Sequence, residues 1–373
     1  MITIFEARKI LTMNPARPLA THVAVRDGRI LGAGRLEDLT GWGDHRIDRQ
    51  FAGKVLMPGL VEGHSHISEG VFWQSVYCGY FDRMDPDGKI WPGVKSVDAV
   101  LERLREAERK LDDPAKPLTG WALDPIYFGS ARIGRADLDK VSTDRPIAVM
   151  HASGHILSVN SKALELAGFL RTGIEHQGVP LDAEGLPTGE LKGPEAMMPV
   201  GRHSGFDREA QAGDETGLRQ FARLCVRKGV TTATDLANLL PDNAVEMMRR
   251  VTGEDRFPVR IASFRRFVGM TPAALIDRAL ELKKQSTDRL RLGGIKLFAD
   301  GSIQGFSARL RWPGYYNGQP NGLWYVTPEQ LAEALELALA NGILAHIHTN
   351  GDEATELMLD TLEAVLRRQP GPD

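Results

Sequence analysis

Cysteine is nearly absent from this sequence: 373 residues hold only Cys78 and Cys225, with no CxxC pair. A disulfide or a thiolate zinc clamp is thereby not expected, and both thiols read as packing residues. Long apolar runs are missing as well. No stretch reaches the ~18 residues of a membrane span. The start, Met1-Ile-Thr-Ile-Phe-Glu6, lacks a basic region followed by an apolar core. No membrane partner is expected, and the cytoplasm is the expected location. A basic surplus is lacking too. The net charge is −3 and the pI about 6.4, so nucleic acid is not an expected partner. The length suits a large barrel with an accessory domain.

What is present is patterned. Residues 2–57 read as short strands, with a hairpin turn at Asp27-Gly28. Residues 1–54 are therefore expected to form a small β domain and residues 55–373 the main one. Val55-Leu-Met-Pro-Gly-Leu-Val61 is a compact apolar run that ends abruptly in Glu62-Gly-His-Ser-His66. A buried strand ending in chemically able residues is what the C-terminal rim of an α/β barrel looks like. Residues 67–210 are irregular and rich in loops, apart from a helix near 97–111 and a strand at 146–150. They read as a large insertion able to cover a site.

Beyond 210 the alternation is regular. Helices at about 214–228, 242–252, 272–285, 328–341 and 353–368 alternate with strands at 229–235, 259–264, 292–298 and 343–348. That rhythm predicts a parallel sheet. With the strand at 55–61 the count is five, where a closed (β/α) barrel needs eight.

Four constellations can carry chemistry. In His64-Ser-His66 two imidazoles face the same way on a strand and can reach one ion. Lys296 lies among apolar strand residues. It is either paired with an acid such as Asp300, or desolvated, with a lowered pKa and able to take up carbon dioxide as a carbamate. His346-Ile-His348 is a second same-face pair. His348 lies nearer the rim, and His346 reads as a hydrogen-bonded core histidine. Asp352 then caps the next helix or orients His348. His151 and His155, within the insertion, read either as a satisfied turn or as substrate contacts.

These segments together resemble the amidohydrolase-3 (YtcJ-like) family of metal-dependent amidohydrolases. The resemblance is carried in order by residues 55–66, His151-Ala-Ser-Gly-His155 with Asn160-Ser-Lys-Ala-Leu164, and Gly185-Leu-Pro-Thr-Gly-Glu190. It continues through Gly229-Val-Thr-Thr232, Lys296-Leu-Phe-Ala-Asp-Gly-Ser302 and His348-Thr-Asn-Gly-Asp352. The commoner family form of that last segment is His-Ala-Ile-Gly-Asp. The resemblance implies a (β/α)8 TIM-type barrel, incomplete in this chain, with a small β-sandwich and a large insertion after the first barrel strand. It implies one or two divalent ions, zinc first, held by His64, His66, Lys296 and His348, with Lys296 carboxylated in many relatives. Lys296 and His348 are expected to be catalytic. His151, His155, Asp300 and Asp352 are expected to meet the substrate, a small amide-type molecule. A homodimer is the protein partner considered.

The family continues with a sixth-strand His and an eighth-strand Asp, the latter acting as general base. This chain ends at Gln369-Pro-Gly-Pro-Asp373, about where the sixth strand should begin. The expectation is thus a piece of a longer protein or a truncated product of doubtful activity. Two rival readings stay open. One is a metal- or partner-binding protein without catalysis. The other is a deaminase with a single metal.

Overall fold

The computed structural model describes residues 1–129 and 131–370. They form two compact units, one of Met1–Val61 and one beginning at Glu62.

The first unit is a four-stranded sheet of β1 (Ile2–Leu11), β2 (Leu19–Arg26), β3 (Arg29–Gly34) and β4 (His45–Leu56), in the order β3-β2-β1-β4. β2 and β3 join at Asp27-Gly28, whose φ values of 52° and 72° match a two-residue hairpin turn with both central residues left-handed. Ile2, Ile4, Ala24 and Leu39 pack together, and Ala7, Ile10 and Ala20 form a second small cluster.

The expected strand at 55–61 is not continuous. β4 ends at Leu56, and a three-residue strand, β5 (Leu60–Glu62), follows. Pro58 lies in the gap, where its missing amide hydrogen removes a ladder donor.

In the second unit the insertion is more ordered than its sequence suggests. β6 (Val76–Tyr77) leads to a short hairpin of β7 (Arg83–Met84) and β8 (Ile90–Trp91). β9 (Leu118–Leu123), β10 (Ile147–His151), β11 (Ile156–Val159) and β12 (Glu190–Lys192) join β6 in a sheet ordered β12-β11-β10-β9-β6. Both faces are buried. Ile147 and Val149 enter one apolar cluster, while Ala148 and Met150 enter another. This is the period of two that a strand imposes. With apolar residues on both faces, and strands of two to six residues, no polar alternation marks them in the sequence.

The regular half forms a curled parallel sheet of β13 (Val230–Asn238), β14 (Arg260–Arg266), β15 (Leu290–Phe298) and β16 (Ala345–His348), each paired with the next. The helices between them, Asp242–Gly253, Pro272–Lys283 and Pro328–Ala340, follow the predicted positions, as do Glu215–Arg227 before β13 and Asp352–Arg368 after β16. Two of them start with the same device. The hydroxyls of Thr271 and Thr327 accept from the amides of Ala274 and Gln330, and Pro272 and Pro328 occupy the first turn, where no amide donor is needed. The Glu215–Arg227 and Asp242–Gly253 helices share one apolar core with β13 and β14. The Pro272–Lys283 and Pro328–Ala340 helices share another with β15 and β16. This is barrel architecture carried partway round. Among the described residues no helix is long and apolar enough to cross a membrane.

Candidate metal centre

The site begins with strand register. Lys296 on β15 pairs with Arg266 on β14 and with His346 on β16, and Phe298 pairs with His348. Paired residues of parallel strands point to one face, as do residues two apart. Arg266, Lys296, Phe298, His346 and His348 therefore share a face. One layer below, Gly294 pairs with Phe264. A Cβ at Gly294 would lie 2.3 Å from the Phe264 ring, so only glycine lets that ring fill the floor. His346 packs edge-on against the same ring, with centroids 4.8 Å apart.

Lys296 is only 2% exposed. Of the two sequence readings, pairing with Asp300 is not what the structure contains. Among the described residues no ion pair or hydrogen bond reaches the Lys296 ammonium. Its Nζ stands 5.2 Å from the Phe298 ring centroid. Burial pushes its pKa down to about 8, because a desolvated ammonium is costly.

Asp300, expected to meet the substrate, is engaged with the backbone. It is fully buried, and its carboxylate accepts from the amides of Arg309 (2.9 Å), Asn350 (2.9 Å) and Gly351 (2.8 Å). It ties the end of β15 to the turn that follows β16. His348 Nε2 lies 2.9 Å from the Gly301 carbonyl and 3.8 Å from Asp300 Oδ1. Asp300, not Asp352, is thus the acid beside His348. The Asp352 carboxylate is exposed and accepts from the amides of Arg311 and Glu353.

His64 and His66 come from the segment after β5, held along β13. Ser65 donates to the Thr234 carbonyl, its own carbonyl accepts from Leu236, and the Ile67 amide donates to Asp235. The rings stand edge to face, 5.5 Å between centroids. His66 Nδ1 is buried without a partner. Burial first, then repulsion from His64, Lys296, Arg208 and Arg266, lowers the His66 pKa to about 4. Burial also lowers His64, with Lys296, His346 and His348 adding to the effect. Both imidazoles are therefore neutral at pH 7, the form that binds metals.

The insertion reaches the same place. His155, just before β11, lies 4.9 Å from the His348 ring and stacks on Tyr325. Its pKa falls to about 3, chiefly through burial and then through His348. His151 ends β10, where its Nε2 meets Ser158 Oγ at 2.9 Å and its Nδ1 is buried and unpartnered. Ala122, opposite the end of β10, has a φ of 69°, and the β9–β10 register slips between Met150 and His151. Such an irregularity re-aims side chains at a strand end. A cavity of about 390 Å³ opens here, with His64, His66, His151 and His155 in its wall.

Burial also lowers the His151 pKa to about 3, which yields a stability prediction. A native value below the unfolded 6.5 means that the unfolded chain binds the proton more readily. The resulting stability is whole above pH 6.5 and erodes as pH falls toward 3, by up to ~1.4 kcal/mol per pH unit. Denaturant midpoints between pH 7 and 5 should fall more steeply for the wild type than for His151→Gln. Equal slopes would contradict this account.

The histidines alone do not complete a coordination set: no three His, Cys, Asp or Glu side chains are grouped to hold an ion among the described residues. The donor chemistry nevertheless fits a divalent ion once Lys296 is counted. Its charge is felt at His64, His66, His155 and His346, so it sits among the imidazoles, and an orphaned nitrogen of His66 faces no protein partner. Sequence reasoning missed Arg266, Arg208 and Tyr325. An arginine at the rim end of a barrel strand was a usable signal for Arg266. Nothing marked the other two.

His64, His66, Lys296 and His348 thus stand at the rim end of the curled sheet, and the chain is similar to several known proteins. The profile of the amidohydrolase family matches residues 51–373, and the chain belongs to that family. It is 27% identical to "Protein LONG AFTER FAR-RED 3" of Arabidopsis thaliana, over 95% of this chain and 60% of that one. It is 26% identical to "Putative amidohydrolase YtcJ" of Bacillus subtilis, over 97% and 66%. It is 24% identical to "N-substituted formamide deformylase" of Arthrobacter pascens, over 98% and 66%. The chain thus spans about three-fifths to two-thirds of the length of these relatives. Its fold is similar to the crystal structure of an uncharacterized metal-dependent hydrolase from Pyrococcus horikoshii, with a TM-score of 0.66 at 19% identity, covering 98% of this chain and 68% of that one.

Proposed function

We propose that this chain carries the metal-binding part of a hydrolase that cleaves the C–N bond of a small amide-type substrate, N-substituted formamides included. One observation carries the reading. Lys296 is buried without an acid partner, in register with His346 and electrostatically coupled to His64 and His66. A structural lysine in such a place would carry a counter-ion.

His64, His66, Lys296 and His348 would hold the ion, zinc being the first choice for imidazole donors. When bound, a divalent ion lowers the pKa of water toward about 7 and polarises a carbonyl. The remaining work belongs to the chain. The neutral Lys296 amine adds to carbon dioxide, forming one N–C bond and releasing one proton to water, and becomes an anionic donor. Asp300 and the Gly301 carbonyl orient the His348 ring. His155 and His151 line the cavity as neutral imidazoles able to hydrogen-bond an amide. The apolar strand floor keeps water away from Lys296.

The single-metal deaminase reading gives Lys296 no role, so the hydrolase is preferred. The test is turnover of N-acyl and N-formyl amines by the zinc-loaded chain. Activity should appear with zinc, disappear on chelation, and accompany a mass gain of one carbon dioxide on Lys296. Bound zinc with no turnover across the panel would favour a binding protein instead.

A further inference from the structure

We propose that Arg208 and Arg266 form an anion subsite in the cavity beside His66, and that the substrate carries a carboxylate into it. This deepens the hydrolase reading and rests on it for the scissile amide, although the subsite itself binds whether or not catalysis follows.

Both guanidinium groups line the cavity that contains His64 and His66. Among the described residues neither makes an ion pair or hydrogen bond through its guanidinium. Arg266 Nε is buried and unpartnered. What they do touch are ring faces. Arg266 stands 4.8 Å over Phe298, and Arg208 stands 5.9 Å over Phe72. The cavity's other cation, Arg83, is paired with Glu69. The remaining cavity acid, Glu62, accepts from the His64 amide. Asp235, in a wall shared with both arginines, is committed to the Ile67 amide, Asn238 and Ser263. Asp207, next in sequence to Arg208, caps the 208–212 helix through the Glu209 and Ala210 amides.

The balance is therefore two adjacent cations with no anion. Two arginines set side by side in a half-buried wall repel each other and lose hydration. The arrangement is stabilised when a ligand supplies the missing negative charge. A carboxylate suits the planar guanidinium fork and can bridge both. Arg266 pairs in register with Lys296, so an anion held there lies one strand from the proposed metal ligands, at the reach of an amide bond. Phe72, Trp121, Met150 and Phe206 offer an apolar wall in the same cavity. The substrate class this describes is an N-acylated amino acid. Its carboxylate meets the arginines and its apolar group meets the aromatic wall.

The test compares N-acetylphenylalanine with its uncharged relative N-acetylphenylalaninamide by titration calorimetry on the whole chain, with and without zinc. The carboxylate should bind at least about tenfold more tightly, the size expected for a charge-assisted bidentate contact. Arg208→Gln and Arg266→Gln should each remove most of that preference. Equal binding of the two probes by the wild type would overturn the proposal, and that comparison needs no variant. So would a full preference retained in both variants with unchanged melting temperatures. Discrimination by the zinc-loaded chain without turnover of either compound, or of any of the N-acyl and N-formyl amines, would leave the subsite standing and retire the hydrolase reading.

Discussion

Exchange of Lys296 for methionine is expected to abolish hydrolysis while making the metal-free chain more stable. The two effects come from one fact, the burial of an ammonium group with no acid beside it. Burial lowers the Lys296 pKa from 10.5 to about 8. The folded chain thus holds that proton less tightly than the unfolded chain does, which costs roughly 3 kcal/mol at pH 7. Methionine removes the charge and approximates the stem, so up to that amount returns, less any repacking cost. The sign has a second consequence. Wild-type stability should rise with pH between 8 and 10.5, as the unfolded lysine loses its advantage, and the variant should lack that rise. Denaturant unfolding of the metal-free chain at pH 7 and 9.5 checks both. A variant less stable than wild type at pH 7 would mean that Lys296 has a structural partner after all. Activity should drop at least a thousandfold, because the anionic donor and the metal geometry it supports are lost together.

The second large effect is at Asp300. Replacement by alanine removes the acceptor for three backbone amides, those of Arg309, Asn350 and Gly351, at a fully buried position. Each unsatisfied donor costs about 1–3 kcal/mol, with partial relief from water or local rearrangement. A loss of about 3–5 kcal/mol is expected, together with loosening of the 349–352 turn and of the His348 ring. Asp300→Asn keeps one acceptor and should cost clearly less. Thermal melting and amide exchange in residues 349–352 read the difference. An alanine variant that melts with the wild type and lacks only activity would restore the substrate-contact role that the sequence suggested.

The contrast between these two residues shows what a sequence can carry. Lys296 was legible because a lone cation in an apolar strand is a local anomaly. His64, His66 and His348 were legible because same-face spacing on a strand is also local. The helices after 210 were legible from their regular alternation with apolar strands. The backbone ties of Asp300 were not legible because its partners lie 9, 50 and 51 residues away, and only folding brings those amides to it. Arg208 and Arg266 were invisible for the same reason: an arginine is unusual only when every acid around it is already engaged. Of the inserted sheet only β10 was legible, as the strand at 146–150; β9 and β11 escaped because they are short and buried almost throughout, which erases the alternation that reveals a strand.

The most direct measurement is an anomalous-scattering map of crystals grown with zinc. The account predicts a peak bonded by ring nitrogens of His64 and His66, with Lys296 or its carbamate as a further ligand and His348 alongside. Zinc bound elsewhere, or a Lys296 side chain turned onto an acid with no metal near it, would contradict the account.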